Sequence, residues 1–317
     1  MPDTGKLVVV ALGGNVLVRD AEHESIPHQY ETVQSVAPYL IDLVEQGWRL
    51  VLTHGNGPQV GFILRRSELA IGEVAPVPLD YVVGDTQGAI GYMFLKALGN
   101  ELRRRAIDKA VVAVVTQTVV AADDPAFDHP TKPVGSFMEE SAARRFADSL
   151  GWTVAQDGDR GWRRTVPSPL PVGIVEVPAI RALCDSGAIV VAAGGGGVPV
   201  TRDAHGDLVG VEAVVDKDLA SAMLAVELGA DALVIPTGVE AVAVNFGTAQ
   251  QRWLSSLTLA DAAALVQGDQ LGEGSMRPKV EALMNFLRRC PNGTGIITSP
   301  ERIGAALGGN AGTRIEH

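Results

Sequence analysis

The sequence predicts an α/β protein built on a mainly parallel sheet, and three observations lead there. Short apolar runs recur at 7–12, 50–53, 111–116, 189–193, 232–235 and 295–298. The runs are continuous rather than alternating, as strands buried on both faces are. Helix-period stretches separate them, which gives the βα rhythm of a parallel sheet.

Each element has its own local warrant. The first run passes into Gly13-Gly14-Asn15, the second into His54-Gly55-Asn56-Gly57 and the fourth into Gly194-Gly195-Gly196-Gly197. In 58–68, Val60, Ile63 and Leu64 share one helical face, and Pro58 suits the first helical position. Leu219, Met223 and Leu224 do the same in 216–229, and Val280, Leu283, Met284 and Leu287 in 278–289. The segment 123–171 breaks the rhythm. It carries six prolines, one amphipathic stretch at 138–150 and the basic run Arg160-Gly161-Trp162-Arg163-Arg164. It reads as an insertion, either a lid or a surface excursion used for packing or dimerisation.

Composition bounds the function. The 317 residues are 46% hydrophobic and 5% aromatic, enough for a large core filled by Ala, Val and Leu. A net charge of -11 argues against nucleic acid as the main partner, because phosphate backbones call for a basic footprint. A small anion in a locally positive pocket stays open. Cys184 and Cys290 form no CxxC pair and no His-Cys cluster, so the reading is two reduced thiols, no metal centre and a cytoplasmic protein. The first residues enter a strand without a signal-peptide pattern. No uncharged apolar run reaches the roughly 18 residues a membrane span needs.

The chemistry points to phosphate. In an open parallel sheet, ligands bind beyond the carboxyl ends of the strands. Glycines there let backbone N–H groups approach an anion. Three such loops, 13–15, 54–57 and 194–197, are expected on one edge. Nucleotide fingerprints are missing: there is no GxxxxGK[ST], and 55–61 holds one residue too many for GxGxxG. Lys217, between Asp216 and Asp218, and Lys279 both fall in first helical turns, where the macrodipole disfavours cations by a few tenths to about 1 kcal/mol. That placement suits a bound anion, and it equally suits solvated lysines or a Lys217 paired with its flanking acids. Asp216 or Asp218 is also a natural helix cap. His54 is read as structural, because phosphoryl transfer to an ionised acceptor needs no general base. These residues lead to phosphoryl transfer or anion binding, and no further.

The motifs together resemble the carbamate kinases of the amino-acid kinase family, nearly end to end. They include Ala11-Leu12-Gly13-Gly14-Asn15, Thr53-His54-Gly55-Asn56-Gly57-Pro58, Pro130-Thr131-Lys132-Pro133, Arg160-Gly161-Trp162-Arg163-Arg164, Val215-Asp216-Lys217-Asp218 and Gly274-Ser275-Met276. The resemblance implies a three-layer αβα open sandwich around an eight-stranded sheet, with the insertion as a protruding lid subdomain. It divides the chain into 1–210, holding carbamoyl phosphate or carbamate and carrying the lid at 123–171, and 211–317, holding ADP or ATP. It makes Lys132, Lys217, Asp218 and Lys279 catalytic. Gly13, Gly14, Asn15, Gly55, Asn56 and Gly57 would bind the small substrate. Asp216, Thr237, Gly238, Val239, Val244, Ser275 and Met276 would bind the nucleotide. It also implies Mg²⁺ and a homodimer. The chain departs from the family pattern at Gly238 (Asp expected), Ala243 (Tyr expected) and Arg277 (Gly expected).

Overall fold

A computed structural model of the chain describes residues 5–14, 17–18, 20–268, 270–271 and 276–317. Among these, an eight-stranded sheet runs in the order Ser256–Thr258, Thr313–Glu316, Thr294–Thr298, Ala232–Pro236, Leu7–Leu12, Arg49–His54, Ile189–Val191 and Val111–Ala113. All six apolar runs of the sequence are in it. Pairing is parallel from Val111–Ala113 across to Thr294–Thr298. Thr313–Glu316 then enters antiparallel, and Ser256–Thr258 pairs parallel to it at the edge. These last two strands lack a long apolar run and were not anticipated.

The central Leu7–Leu12 strand explains why its run is continuous. Leu7, Val9 and Ala11 face one core cluster, and Val8, Val10 and Leu12 face the other. The second cluster is covered by the helices Ile26–Glu45 and Leu79–Arg104, which supply Leu40, Ile41, Phe94 and Leu98. The first is covered by Lys217–Leu228 and Met276–Arg289, which supply Leu224, Leu283 and Phe286. The result is helix, sheet, helix. The sheet also crosses the boundary expected at 210/211, since Leu7–Leu12 pairs with Ala232–Pro236.

The insertion folds as a unit of its own. Lys132–Met138, Trp162–Val166 and Thr153–Gln156 form a three-stranded antiparallel sheet, and Glu140–Leu150 is a helix that ends at Gly151 with φ +69°. Val134 and Val166 dock this sheet on Val60, Leu64 and Val83 of the helices Gly57–Leu69 and Leu79–Arg104. An ion pair between Arg164 and Glu212 ties it to the chain that leads into the Lys217–Leu228 helix. No helix among the described residues is long and apolar enough to cross a membrane.

Two glycines in the Leu79–Arg104 helix make opposite demands. A Cβ on Gly91 would stand 2.8 Å from the Ala113 methyl, where helix meets sheet, whereas one on Gly99 would meet nothing within 4 Å. In urea denaturation, Gly91→Ala is expected to lose about 1–3 kcal/mol through overpacking. Gly99→Ala is expected to gain about 0.5–1 kcal/mol from the less flexible unfolded chain.

Candidate active site

The parallel strands all end on one edge of the sheet, and the loops that leave them build the site there. Gly13-Gly14 follows Leu7–Leu12, Gly55 to Gly57 follows Arg49–His54, and Thr237-Gly238 follows Ala232–Pro236. The first two loops touch: a Cβ on Gly55 would be 2.6 Å from the Gly14 amide nitrogen. The Gly194–Gly197 loop serves mainly this packing. Side chains on Gly194, Gly196 and Gly197 would collide with His54, Val215 and Thr118 respectively, and Gly195 alone of the four lines a cleft.

Two clefts open on this edge. The larger, about 620 Å³, is lined by Gly13, Gly14, Lys217, Thr237, Gly238 and Lys279, with further walls from the Ile26–Glu45 helix and from Pro300 and Glu301. The smaller, about 220 Å³, lies under the lid and is lined by Gly55, Asn56, Gly57, Lys132, Arg163, Asp216 and Asp218, among others. Lys217 lines both. Of the two loops expected to hold the small substrate, Gly13 and Gly14 line the larger cleft and Gly55, Asn56 and Gly57 the smaller.

Lys217 is the first residue of its helix, and Asp216 is the cap, its Oδ1 accepting from the Asp218 amide at 2.9 Å. Lys217 donates through Nζ to the Ala11 carbonyl at 3.0 Å and stands 2.5 Å from Asp218 Oδ1. That approach is ionic: Oδ1 has no partner with hydrogen-bond geometry. Asp218 Oδ2 accepts from Lys279 Nζ at 3.0 Å. Lys279 and Asp218 are buried, at 8% and 4% exposure, and the Lys217 side chain is 12% exposed. The lysines are thus not solvated surface residues. Burial alone would raise the Asp218 carboxyl, but Lys217 and Lys279 outweigh it and hold the group below its usual range. Burial pushes the Lys217 ammonium down, opposed by Asp218 and reinforced by Lys279. Two buried cations share one carboxylate, which leaves a surplus positive charge out of water and favours an incoming anion.

The other expected residues are placed as follows. Lys132 is exposed on the lid strand and reaches Asp216 Oδ2 at 3.3 Å. Val239 and Val244 line neither cleft. Met276 lines neither and packs against the core instead. Arg277 pairs with Glu281 one turn along its helix, and Ala243 is buried opposite Trp253 of the neighbouring strand. Asn15 and Ser275 lie outside the described residues. His54 is buried, its Nδ1 3.0 Å from the Gly55 carbonyl, and desolvation lowers its pKa to about 4. Sequence reasoning missed Thr32, Ser35 and Tyr39, which line the larger cleft. Their i, i+3, i+7 spacing puts them on one face of the Ile26–Glu45 helix, and that spacing was the available signal. It also missed Arg163 in the smaller cleft.

Fold and site together define an α/β protein with two adjacent anion-receptive clefts that share a lysine. A model of the amino acid kinase family matches residues 6–297. The chain is 47% identical to the carbamate kinase-like protein YahI of Escherichia coli strain K12, over 98% of each chain. It is 44% identical to a carbamate kinase of Pyrococcus horikoshii, over 97% of this chain and 98% of the relative. The solved structure of a Giardia lamblia carbamate kinase bound to AMP-PNP superposes with a TM-score of 0.93 at 38% identity, covering 99% of both chains. The chain belongs to the amino acid kinase family, and within it to the carbamate kinases.

Removing the shared carboxylate leaves two closely placed ammonium groups with only the more distant Asp216 to offset them. Asp218→Asn is expected to cost about 3–5 kcal/mol in denaturant unfolding. The double variant Asp218→Asn/Lys279→Met is expected to lose less than the sum of the single changes. His54 generates a pH prediction. Its folded pKa of about 4 lies below the ordinary 6.5, so between those values the unfolded chain binds the extra proton. Its contribution is full above pH 6.5 and is lost as pH falls toward 4, by at most about 1.4 kcal/mol per pH unit. The His54 ring proton in an NMR titration should not move between pH 8 and 5; a midpoint near 6.5 would contradict its burial as a neutral ring.

Proposed function

We propose that this protein is an ATP:carbamate phosphotransferase that moves a phosphoryl group reversibly between carbamoyl phosphate and ADP. One observation carries the reading: Lys217 stands in the wall of both clefts, with Lys279 beside it and one carboxylate between them. A phosphoryl group passing from one cleft to the other meets the same positive charge at both ends of its path. Phosphoryl transfer needs such charge neutralisation and alignment rather than covalent help.

The smaller cleft takes carbamoyl phosphate and the larger takes ADP. A terminal phosphate oxygen of ADP attacks phosphorus, the bond from phosphorus to the carbamate oxygen breaks, and carbamate leaves. Lys217 and Lys279 neutralise charge on the transferring group, and Lys132 approaches it from the lid. Asp218 orients the two buried ammonium groups. It is held ionised by them and the acceptor is already an anion, so no base is required. The backbone amides of Gly13, Gly14 and Gly57 supply donors at the strand ends, whereas the Gly55 amide is spent on the Leu12 carbonyl at 2.9 Å. Thr237 and Gly238 stand at the nucleotide side of the larger cleft.

Mg²⁺ belongs to this reading as the companion of the nucleotide. Asp216 and Asp218 each already face an ammonium group, so the ion would be held chiefly by the nucleotide and water and would supply further charge neutralisation. The proposed assembly is a homodimer. Tyr81 and Tyr92, 67% and 62% exposed on one side of the Leu79–Arg104 helix, offer it aromatic contacts.

A second reading, a paralogue acting on another small acid, draws on the name of the 47% identical relative, a carbamate kinase-like protein. A coupled assay for ATP from ADP, Mg²⁺ and carbamoyl phosphate, run beside a panel of acyl phosphates, separates the two. Carbamoyl phosphate is expected to be the preferred donor, and Lys217→Ala to lower kcat by about 10²–10³ in folded protein. No ATP from folded wild-type protein at saturating ADP would end the carbamate kinase reading.

A further inference from the structure

Arg163 lines the smaller cleft together with Lys132 and Lys217, and its guanidinium is held on three sides. Nε donates to the Gly135 carbonyl at 3.2 Å, Nη1 donates to Asp157 Oδ2 at 2.9 Å, and the Phe137 ring lies 5.0 Å from its central carbon. The Gly135 carbonyl is available because the lid sheet is irregular there. Pairing between Lys132–Met138 and Trp162–Val166 shifts between Val134 and Met138, and Gly135 sits at φ +74°. A bulge of this kind takes backbone groups out of the ladder and re-aims a neighbouring side chain, and a left-handed residue within it is most easily glycine.

The charges lining the cleft are Lys132, Arg163 and Lys217 against Asp216 and Asp218, three minus two, or one positive charge in surplus. Lys132 and Lys217 face the two lining carboxylates. Arg163 is balanced by Asp157, which does not line the cleft. Among the charged residues of the cleft wall it therefore has no carboxylate partner. Its freedom is already restricted, so little is lost when a ligand binds.

We propose that Arg163 is a binding residue for the small phosphorylated acid in the smaller cleft, with Asp157 as its positioning residue. The inference rests on the phosphotransferase reading above. The guanidinium edge not used by Gly135 and Asp157 is a planar donor that suits phosphate or carboxyl oxygens, a match an ammonium group does not reproduce.

The test is steady-state kinetics on the full chain with both substrates varied, beside calorimetric titration with inorganic phosphate. Arg163→Met is expected to raise KM for carbamoyl phosphate about tenfold or more, with KM for ADP within about twofold and the melting temperature unchanged. Arg163→Lys keeps the charge without the fork and is expected to fall between Met and wild type. Asp157→Asn leaves the guanidinium in place but loosely held, and is expected to raise the same KM about threefold. These two variants carry the test if Arg163→Met does not fold. An unchanged KM for carbamoyl phosphate, or a parallel rise in both KM values, would overturn the proposal. Phosphate binding that is the same in wild type and Arg163→Met would overturn it too. Wild-type protein that makes no ATP, yet binds phosphate in an Arg163-dependent way, would end the phosphotransferase reading and leave Arg163 as an anion ligand.

Discussion

The hydrogen bond from Lys217 Nζ to the Ala11 carbonyl joins the two parts of the architecture on which everything else depends. Ala11 is near the end of the central strand, and Lys217 is the first residue of a helix that covers one face of the sheet. The bond pins that helix to the carboxyl edge and makes Lys217 the partition between two clefts. The ammonium group is then surrounded by Asp218, Asp216 and Lys279 in a region largely closed to water. Such a constellation is costly to build, because desolvating charges offsets most of their attraction. Its retention makes chemical sense where a transient or bound anion completes it.

Around this partition the molecule combines stiffness and reach. The stiff part is the sheet edge. There Gly55 lies against the Gly14 backbone and the Gly194–Gly197 loop leaves no room for side chains against His54, Val215 and Thr118. These contacts fix the two clefts relative to each other at backbone precision. The reaching part is the lid, which is anchored by Val134 and Val166 on the helices beneath and brings Lys132 and Arg163 over the smaller cleft. Asp216 belongs to both. One of its oxygens caps the Lys217 helix and the other meets the lid lysine. The cap and the ionic contact are not alternatives, as the sequence had left them, but two uses of one carboxylate.

The departures from the family pattern fall at the margins of this arrangement. Arg277 is occupied by Glu281, and Ala243 is closed in beside Trp253. Gly238 is the departure that reaches a cleft, on the side away from the lid. The partition and its shared carboxylate are untouched by any of them.

The fold class was legible in the chain because burial on both faces leaves an unmistakable trace. Strands such as Leu7–Leu12 must be apolar at every position when helices cover both sides. The short edge strands Ser256–Thr258 and Thr313–Glu316 left no such trace, since each is only partly covered. The glycine loops and the lysines in first helical turns were also visible, as residue types placed against local preference. What local sequence could not decide was which of them meet. Lys217 and Lys279 are far apart along the chain and come together on Asp218 only because their helices pack side by side on the same face of the sheet. The division of the glycine loops between two clefts, the buried neutral state of His54 and the aim of Arg163 were decided the same way. Each depends on contacts between segments distant in sequence, and periodicity and turn chemistry report only on neighbours.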